Sequence, residues 1–194
     1  MTFQIEYGIS SKPKKDENFN GDSYFMGEEN GFFIGAIADG LGHGIYANDA
    51  SKLAVDYITN NLLAPLEELI FGCHQALRGS RGVALSIAKI IFAENNFEFA
   101  GVGNVDCKVR SKESYHPITV PGIVGYNLRK VKSFKYQIQE GDLICLYSDG
   151  ISSKFDLKEF VDLDAQPMAE SISNFFAREL DDSTVMILKC LNKD

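Results

Sequence analysis

Three aspartates stand where apolar segments of the chain begin or end. Asp39 and Asp149 each follow an apolar run, and Asp181 stands shortly before the run Val185–Leu188. Apolar runs of this length, flanked by glycine or turn residues, are typical of buried strands. A carboxylate at the end of a buried strand is costly to keep charged without a partner, and no lysine or arginine is adjacent to any of the three. The pattern therefore predicts strand ends that bind divalent cations such as Mg²⁺ or Mn²⁺, which take oxygen ligands.

The strands predicted from hydrophobic periodicity follow one another in groups along the chain and do not alternate with helices. The predicted strands are Thr2–Gly8, Asp22–Met26, Phe32–Ala38, Val83–Phe92, Phe97–Val102, Val105–Arg110, Tyr115–Thr119, Val131–Ile138, Leu143–Ser148 and Thr184–Leu191. Clusters of strands with grouped helices favour antiparallel sheets over βαβ units.

Three amphipathic helices are predicted, and the first two follow each other with no strand between them. The first carries apolar residues at helical spacing, the second begins after Pro65, and the third spans Ala165–Leu180. Their predicted inward residues are Ala50, Leu53, Ala54, Tyr57, Ile58 and Leu62, then Leu66, Leu69, Ile70, Cys73 and Leu77, and finally Met168, Ile172, Phe175, Phe176 and Leu180. Each helix needs a sheet face to cover, so we expect an α/β (α+β) fold in which two packed sheets carry helices on both outer faces.

Composition narrows the classes of function. A chain of 194 residues is expected to form a single domain over 1–194. Its net charge of −8 argues against nucleic acid as a partner, and no apolar run is long enough to span a membrane. The start of the chain lacks the pattern of a signal peptide. The four cysteines form no C-x-x-C pair, so we expect buried, reduced thiols in a cytoplasmic protein. We also expect the protein to be a monomer.

Six short motifs occur in a fixed order along nearly the whole chain. They are Asn20–Ser23, Asp39–Gly44 with Ala47 after it, Arg81–Ala84, Gly101–Val105, Ser148–Gly150 and Asp181–Thr184. Each motif alone is weak, and an isolated Asp-Gly is usually only a turn. Together they resemble the PPM (PP2C-like) metal-dependent serine/threonine phosphatases, in the small bacterial branch that contains SpoIIE and RsbX. The resemblance implies a four-layer α-β-β-α sandwich with the metal site at one end of the two sheets.

The resemblance also implies roles for particular residues. Asp39 would bridge two Mn²⁺ or Mg²⁺ ions, and the carbonyl of Gly40 would ligate one of them. Asp149 and Asp181 would complete the shell of the second ion, and Asp22 would bind metal-coordinated water. Two such ions can generate a hydroxide nucleophile and stabilise a phosphoryl oxygen, so no cysteine or histidine nucleophile is required. For this branch of the family, the expected substrates and partners are phosphorylated STAS-domain proteins of a stressosome.

The chain departs from the family pattern at several points. No segment is long enough for the flap subdomain of larger members, and Asn104 stands where many members carry an aspartate that helps hold a third metal. The phosphate-binding arginine of eukaryotic members has only loose counterparts, which are Lys12, Lys14 and Lys15. His43 is two residues past the catalytic histidine position of eukaryotic members, so a place at the rim of the site is favoured over a role in proton transfer.

Two alternatives remain open from the sequence. The segment Gly42-x-Gly44-x-x-Ala47 follows a strand and opens a helix, which matches a dinucleotide-binding motif, although the predicted second helix replaces the parallel strand that such a unit needs. The chain could also be a binding module that keeps the phosphatase fold without its chemistry.

Overall fold

The computed structural model of the chain describes residues 3–112 and 114–192, in which nine strands and three helices form. Thr2, at the start of the predicted first strand, lies outside the described residues. The helices are α1 (Ile45–Thr59), α2 (Leu66–Ala76) and α3 (Ala165–Phe176), and short 3₁₀ helices lie at Phe92–Glu94 and Leu157–Phe160. The strands are β1 (Phe3–Lys12), β2 (Asp22–Glu29), β3 (Phe32–Gly40), β4 (Val83–Ile91), β5 (Asn96–Val102), β6 (Asp106–Arg110), β7 (Ser133–Gln137), β8 (Leu143–Tyr147) and β9 (Ser183–Asn192).

The strands form two sheets that pack face to face. One sheet has the order β1-β9-β8-β6 and the other β2-β3-β4-β5-β7, and all these neighbours pair antiparallel. Side chains such as Phe33, Ile37 and Leu146 fill the space between the sheets. The outer face of the five-stranded sheet is covered by α1 and α2, and the outer face of the other sheet by α3. The predicted four-layer α-β-β-α sandwich is confirmed.

Burial agrees with the helix predictions at most positions and contradicts them at three. Leu53 points to solvent from α1, and Phe175 and Leu180 are 77% and 81% exposed. The last helix ends at Phe176 because Ala177 adopts an extended backbone, so Leu180 lies in a loop instead of on the predicted inward face. All four cysteines are buried and free, as predicted.

Two further predictions are corrected by the topology. The segment Tyr115–Thr119 is a loop that makes one bridge, between Tyr115 and Val109, because Pro117 lacks the N–H that a strand would need there. The dinucleotide-binding alternative is also excluded, since β3 pairs antiparallel with both β2 and β4 and α1 is followed by α2.

None of the helices in the described ranges is long and apolar enough to cross a membrane.

Candidate metal centre

The fold brings the four predicted aspartates to one end of the two sheets. Asp22 and Asp39 face each other across the β2–β3 pair. Asp149 follows β8 and Asp181 stands just before β9, the neighbouring strand of the other sheet. Electrostatic repulsion from Asp22, Asp149, Asp181 and Asp182 reaches the carboxylate of Asp39, so five acidic side chains share this end of the molecule.

An open cleft of about 280 Å³ lies at this end of the sandwich. Asp39, Asp149 and Asp181 contribute to its walls, whereas Asp22 and Gly40 are buried behind them. The remaining lining residues are Lys14, Leu41, Gly42, His43, Ala84, Asn104 and Leu180. The cleft is therefore walled by both sheets and by the glycine-rich loop between β3 and α1.

Two glycines of the motifs are required by close packing of the backbone around the acids. A Cβ added to Gly40 would lie 2.1 Å from the carbonyl oxygen of Ala47, and one added to Gly150 would lie 1.9 Å from that of Asp182. Because backbone atoms cannot give way as a flexible side chain could, only glycine fits at either position. These contacts fix the end of β3 at Asp39 and the turn that carries Asp149.

Asp22 is the most buried of the four predicted aspartates, at 4% exposure, and lies between the two sheets. The hydroxyl of Ser148 donates to one carboxylate oxygen of Asp22 at 2.7 Å, and the hydroxyl oxygen of Ser148 accepts the N–H of Thr184. The other oxygen, Oδ1, is buried without a hydrogen-bond partner. Burial raises the pKa of Asp22 to about 7, against the opposing effect of the Ser148 hydrogen bond.

Asp39 is half-buried and surrounded by like charge. Burial raises its pKa to about 9, and repulsion from Asp22, Asp149 and Asp181 adds to that shift. The pKa of Asp181 is also raised, first by burial and then by Asp149. Within the described ranges, no lysine or arginine forms an ion pair with any of these carboxylates. The fold thus assembles negative charge that its own cations do not neutralise.

Asn104 is a member of the cleft whose role sequence reasoning missed. It lies in the turn between β5 and β6, and its side-chain amide donates a hydrogen bond to Oδ2 of Asp149. This contact orients the carboxylate and leaves its other oxygen free. The sequence marked Asn104 only as a departure from the family's aspartate, so no signal within this chain predicted the hydrogen bond.

Asp182, the second acid of the last motif, is buried at the base of the site. One of its oxygens accepts the backbone N–H of Lys14 at 2.9 Å, and the other is buried without a partner. A Cβ added to Gly21 would lie 2.5 Å from that second oxygen, so Asp182 packs against the loop before Asp22. The position of Asp182 directly before a buried strand was the signal that could have revealed this.

The structure places only some of the lysine and histidine candidates at the cleft. Lys14 contributes to the wall of the cleft, whereas the ammonium groups of Lys12 and Lys15 bind Asn174 and Glu179 on the surface. His43 lies at the rim of the cleft, with its Nδ1 atom 2.7 Å from a carboxylate oxygen of Glu17.

The residues of the cleft suit a hard divalent cation. The donors are carboxylate oxygens, which Mg²⁺ and Mn²⁺ prefer, and the unpartnered oxygen of Asp22 and the raised pKa of Asp39 both indicate missing positive charge. Within residues 3–112 and 114–192, no three acidic, histidine or cysteine side chains form a ready-made set of metal ligands. The fit therefore rests on donor chemistry and charge.

Comparison with known proteins identifies relatives with this fold and these motifs. The family model described as stage II sporulation protein E (SpoIIE) matches residues 30–191. The phosphoserine phosphatase RsbX of Bacillus subtilis (strain 168) is 33% identical over 141 residues, which are 72% of this chain and 71% of that protein.

Two solved structures are also similar along nearly their whole length. One belongs to work on the bacterial stressosome as a modular system adapted to control secondary messenger signalling. It matches with a TM-score of 0.92 and 29% identity, over 96% of this chain and 100% of that one. The other is RsbX in complex with magnesium, with a TM-score of 0.86 and 27% identity, over 96% of this chain and 95% of that one.

Proposed function

Because the chain belongs to the SpoIIE family of PP2C-like phosphatases, we propose that it dephosphorylates a phosphorylated STAS-domain protein of a stressosome-type signalling complex. The chain is a phosphoprotein phosphatase, as is its relative RsbX. The observation that carries the proposed chemistry is the cluster of carboxylates at one cleft, without cations of the protein to neutralise it.

The choice of substrate rests on the relatives. Phosphoserine phosphatase is the activity named for RsbX, and the other structural neighbour comes from work on the bacterial stressosome. We propose a role in resetting a stress-response pathway, which these two likenesses support. The open cleft agrees with a protein substrate, because a phosphorylated side chain on a folded protein needs a site that its backbone can approach.

We assign the metal ligands to the acidic residues of the cleft. Asp39 would bridge two Mn²⁺ or Mg²⁺ ions with the help of the Gly40 carbonyl, and Asp149 and Asp181 would hold the second ion. Asp22 would act from behind Asp39 by accepting a hydrogen bond from metal-coordinated water. Bound together, two such ions supply an activated water for in-line attack and positive charge for the phosphoryl oxygens.

The chain's own residues hold this arrangement in place. The Asn104 amide fixes one oxygen of Asp149, and the Ser148 hydroxyl fixes one oxygen of Asp22. None of the four cysteines can serve as a nucleophile, since all are buried, and burial raises the pKa of Cys107 well above its usual value. Hydrolysis is expected to occur in one step without a phosphoenzyme: water attacks phosphorus, and the bond from phosphorus to the serine oxygen breaks as that oxygen takes up a proton.

Hydrolysis of p-nitrophenyl phosphate tests the chemistry. Wild-type protein should turn this substrate over with Mn²⁺ and lose the activity in excess EDTA, and Asp149→Asn should be inactive while remaining folded. Titration calorimetry with Mn²⁺ should show about two sites in the wild type and fewer in the variant. A covalent phosphoenzyme trapped by acid quench would contradict the one-step mechanism.

The substrate is tested separately. A serine-phosphorylated STAS-domain protein should lose its phosphate in the presence of the wild-type enzyme and Mn²⁺, whereas an unrelated phosphoprotein should react far more slowly. Equal rates on the two proteins would contradict the STAS-domain proposal and leave the phosphatase activity standing. We further propose that the chain acts as a monomer in the cytoplasm, with free thiols, and does not bind nucleic acid.

A further inference from the structure

We propose that the substrate protein docks on a rigid aromatic and basic surface beside the cleft, formed by Tyr46, Arg81 and Tyr126. We call these three residues the tyrosine–arginine rim. The inference rests on the proposed function, because it concerns how a folded phosphoprotein is recognised by the same site. It concerns recognition outside the cleft, since none of the three is among the described residues that line it.

The rim is continuous with the cleft through the glycine-rich loop. The guanidinium of Arg81 approaches the carbonyl oxygen of Leu41 at 3.4 Å, and a Cβ added to Gly42 would lie 2.6 Å from the same group. Leu41 and Gly42 both line the cleft. A phosphorylated serine has a short side chain, so the backbone of a protein substrate must come close to this edge when its phosphate enters.

Two of the three side chains are in contact, and the third stands beside the backbone next to them. The guanidinium of Arg81 lies 5.2 Å from the centre of the Tyr46 ring, in a cation–π contact. Tyr126 lies next to Gly82, the residue after Arg81, because a Cβ added to Gly82 would be 3.7 Å from the Cβ of Tyr126. Tyr46 and Tyr126 are 66% and 77% exposed, so both rings are accessible to a partner.

The backbone beneath the rim is fixed by hydrogen bonds. Tyr46 stands in the first turn of α1. The turn that carries Tyr126 is closed by two backbone hydrogen bonds between Ile123 and Asn127, and the N–H of Gly125 donates to Nδ1 of the buried His74. Exposed aromatic groups on a rigid backbone lose little conformational entropy on binding. Tyrosine and arginine are also enriched among the interface residues that contribute most to binding free energy.

A cavity of about 510 Å³ lies against the rim and offers space for a side chain of the partner. Tyr46 and Arg81 line it together with Asp49, Ala50, Gly79 and Ser80. Its mixture of an aromatic ring, one cation and one carboxylate suits the polar and apolar surface of a folded protein. A free phosphate group alone would use neither the rings nor the carboxylate. The geometry therefore favours a folded phosphoprotein as the occupant.

Kinetics on two substrates test the surface. Tyr46→Ala and Tyr126→Ala should each lower kcat/KM on a serine-phosphorylated STAS-domain protein about tenfold, mainly through KM. Turnover of p-nitrophenyl phosphate should stay at the wild-type value, because this small substrate does not reach the rim. Tyr46→Phe should keep most of the wild-type kcat/KM on the phosphoprotein, since it retains the ring that contacts Arg81.

Matched controls remove exposed apolar groups elsewhere. Leu63→Ala changes the turn beyond the far end of α1, and Phe71→Ala changes the exposed face of α2. Both should leave the two activities unchanged. Leu180→Ala probes the opposite wall of the cleft, so an effect of this variant without any effect of the tyrosine variants would overturn the proposal.

Binding supplies a readout that does not depend on turnover. The inactive Asp149→Asn protein should bind the phosphorylated STAS-domain protein. Adding Tyr126→Ala to this variant should raise the Kd about tenfold. Wild-type kcat/KM in both tyrosine variants would overturn the docking surface and leave the phosphatase intact. A wild-type enzyme that hydrolyses p-nitrophenyl phosphate but not the STAS-domain phosphoprotein would overturn the substrate proposal, and the docking surface with it.

Discussion

Lys108 in β6 and Asp39 in β3 are charged side chains that the fold removes from water, and they differ in the groups that surround them. Lys108, within β6, is 8% exposed, and its ammonium donates to the carbonyl oxygens of Ser153 and Phe155 at 2.6 and 2.7 Å. The ring of Phe155 lies 3.9 Å from the same nitrogen. Asp39 has no such partners and faces four other carboxylates.

Burial disfavours the charged form at both sites, since it lowers the pKa of Lys108 and raises that of Asp39. The difference lies in what surrounds the charge. Carbonyl oxygens and a ring give the ammonium of Lys108 partners within the chain, whereas the carboxylate of Asp39 faces other carboxylates, whose repulsion a bound cation would relieve. Substitutions at the two sites should therefore have opposite effects on activity and on stability.

The largest effect is expected at the acidic site. Asp149→Asn should reduce turnover of p-nitrophenyl phosphate by at least about 10³-fold, because it removes a proposed metal ligand. In EDTA its free energy of unfolding should equal or exceed that of the wild type, since one repelling charge is gone. Activity assays and urea denaturation of the same preparations check both parts. An inactive variant that is also clearly less stable would indicate that Asp149 is mainly structural.

Asn104 should affect activity less, because it acts through Asp149. Asn104→Ala removes the amide that fixes one oxygen of Asp149 and should lower kcat about 10- to 100-fold, as losses of groups behind metal ligands do. The variant should also need more Mn²⁺ for half-maximal activity. Asn61→Ala removes an exposed amide near the far end of α1 and serves as the control. Unchanged metal dependence in Asn104→Ala would rule out this positioning role.

Lys108 provides the opposite case. Lys108→Met keeps the length of the side chain but leaves the carbonyls of Ser153 and Phe155 without a donor, which should cost about 2 kcal/mol of unfolding free energy. Turnover with Mn²⁺ should remain close to that of the wild type. Lys15→Met is the matched control, since it removes a cation from an exposed pair with Glu179 and should have little effect. Loss of activity without loss of stability in Lys108→Met would contradict the comparison.

The layers of the fold were predictable from the sequence because they depend on short-range patterns. The apolar runs before Asp39 and Asp149 and the run after Asp181 marked buried strands, and the consecutive helices after Gly44 argued against a parallel sheet. Exposure was harder to predict. Leu180 fits the helical spacing of α3, but the helix ends before it, and spacing alone does not report where hydrogen bonding stops.

The candidate site was predictable only in part, since its contacts join distant segments. The motif spacing identified the predicted acids and the glycines beside them. It did not reveal that Asp182 is buried against Gly21, or that Asn104 binds Asp149, because these pairs are 161 and 45 residues apart. Such contacts depend on how the two sheets are placed, which periodicity does not encode.

A further expected effect is a fall of stability with rising pH, to which Asp22 and Asp39 should contribute. The pKa of Asp22 rises from 3.8 to about 7 on folding, and that of Asp39 to about 9. Between these limits the folded protein holds more protons than the unfolded chain, so stability must fall as pH rises. In EDTA each group should contribute a slope of at most about 1.4 kcal/mol per pH unit.

The variants separate this slope from all other titrations. Asp39→Asn in EDTA should lose part of the decline between about pH 4 and pH 9, and Asp22→Asn part of the decline between about pH 4 and pH 7. Saturating Mg²⁺ should flatten the wild-type curve, because the ion binds the ionised form and so favours the folded state where the carboxylates are charged. Lys108 cannot produce this trend. The lowered pKa of Lys108 makes stability rise with pH below 10.5 instead. A wild-type curve that Asp39→Asn leaves unchanged would mean that the charge at the cleft is already neutralised within the chain.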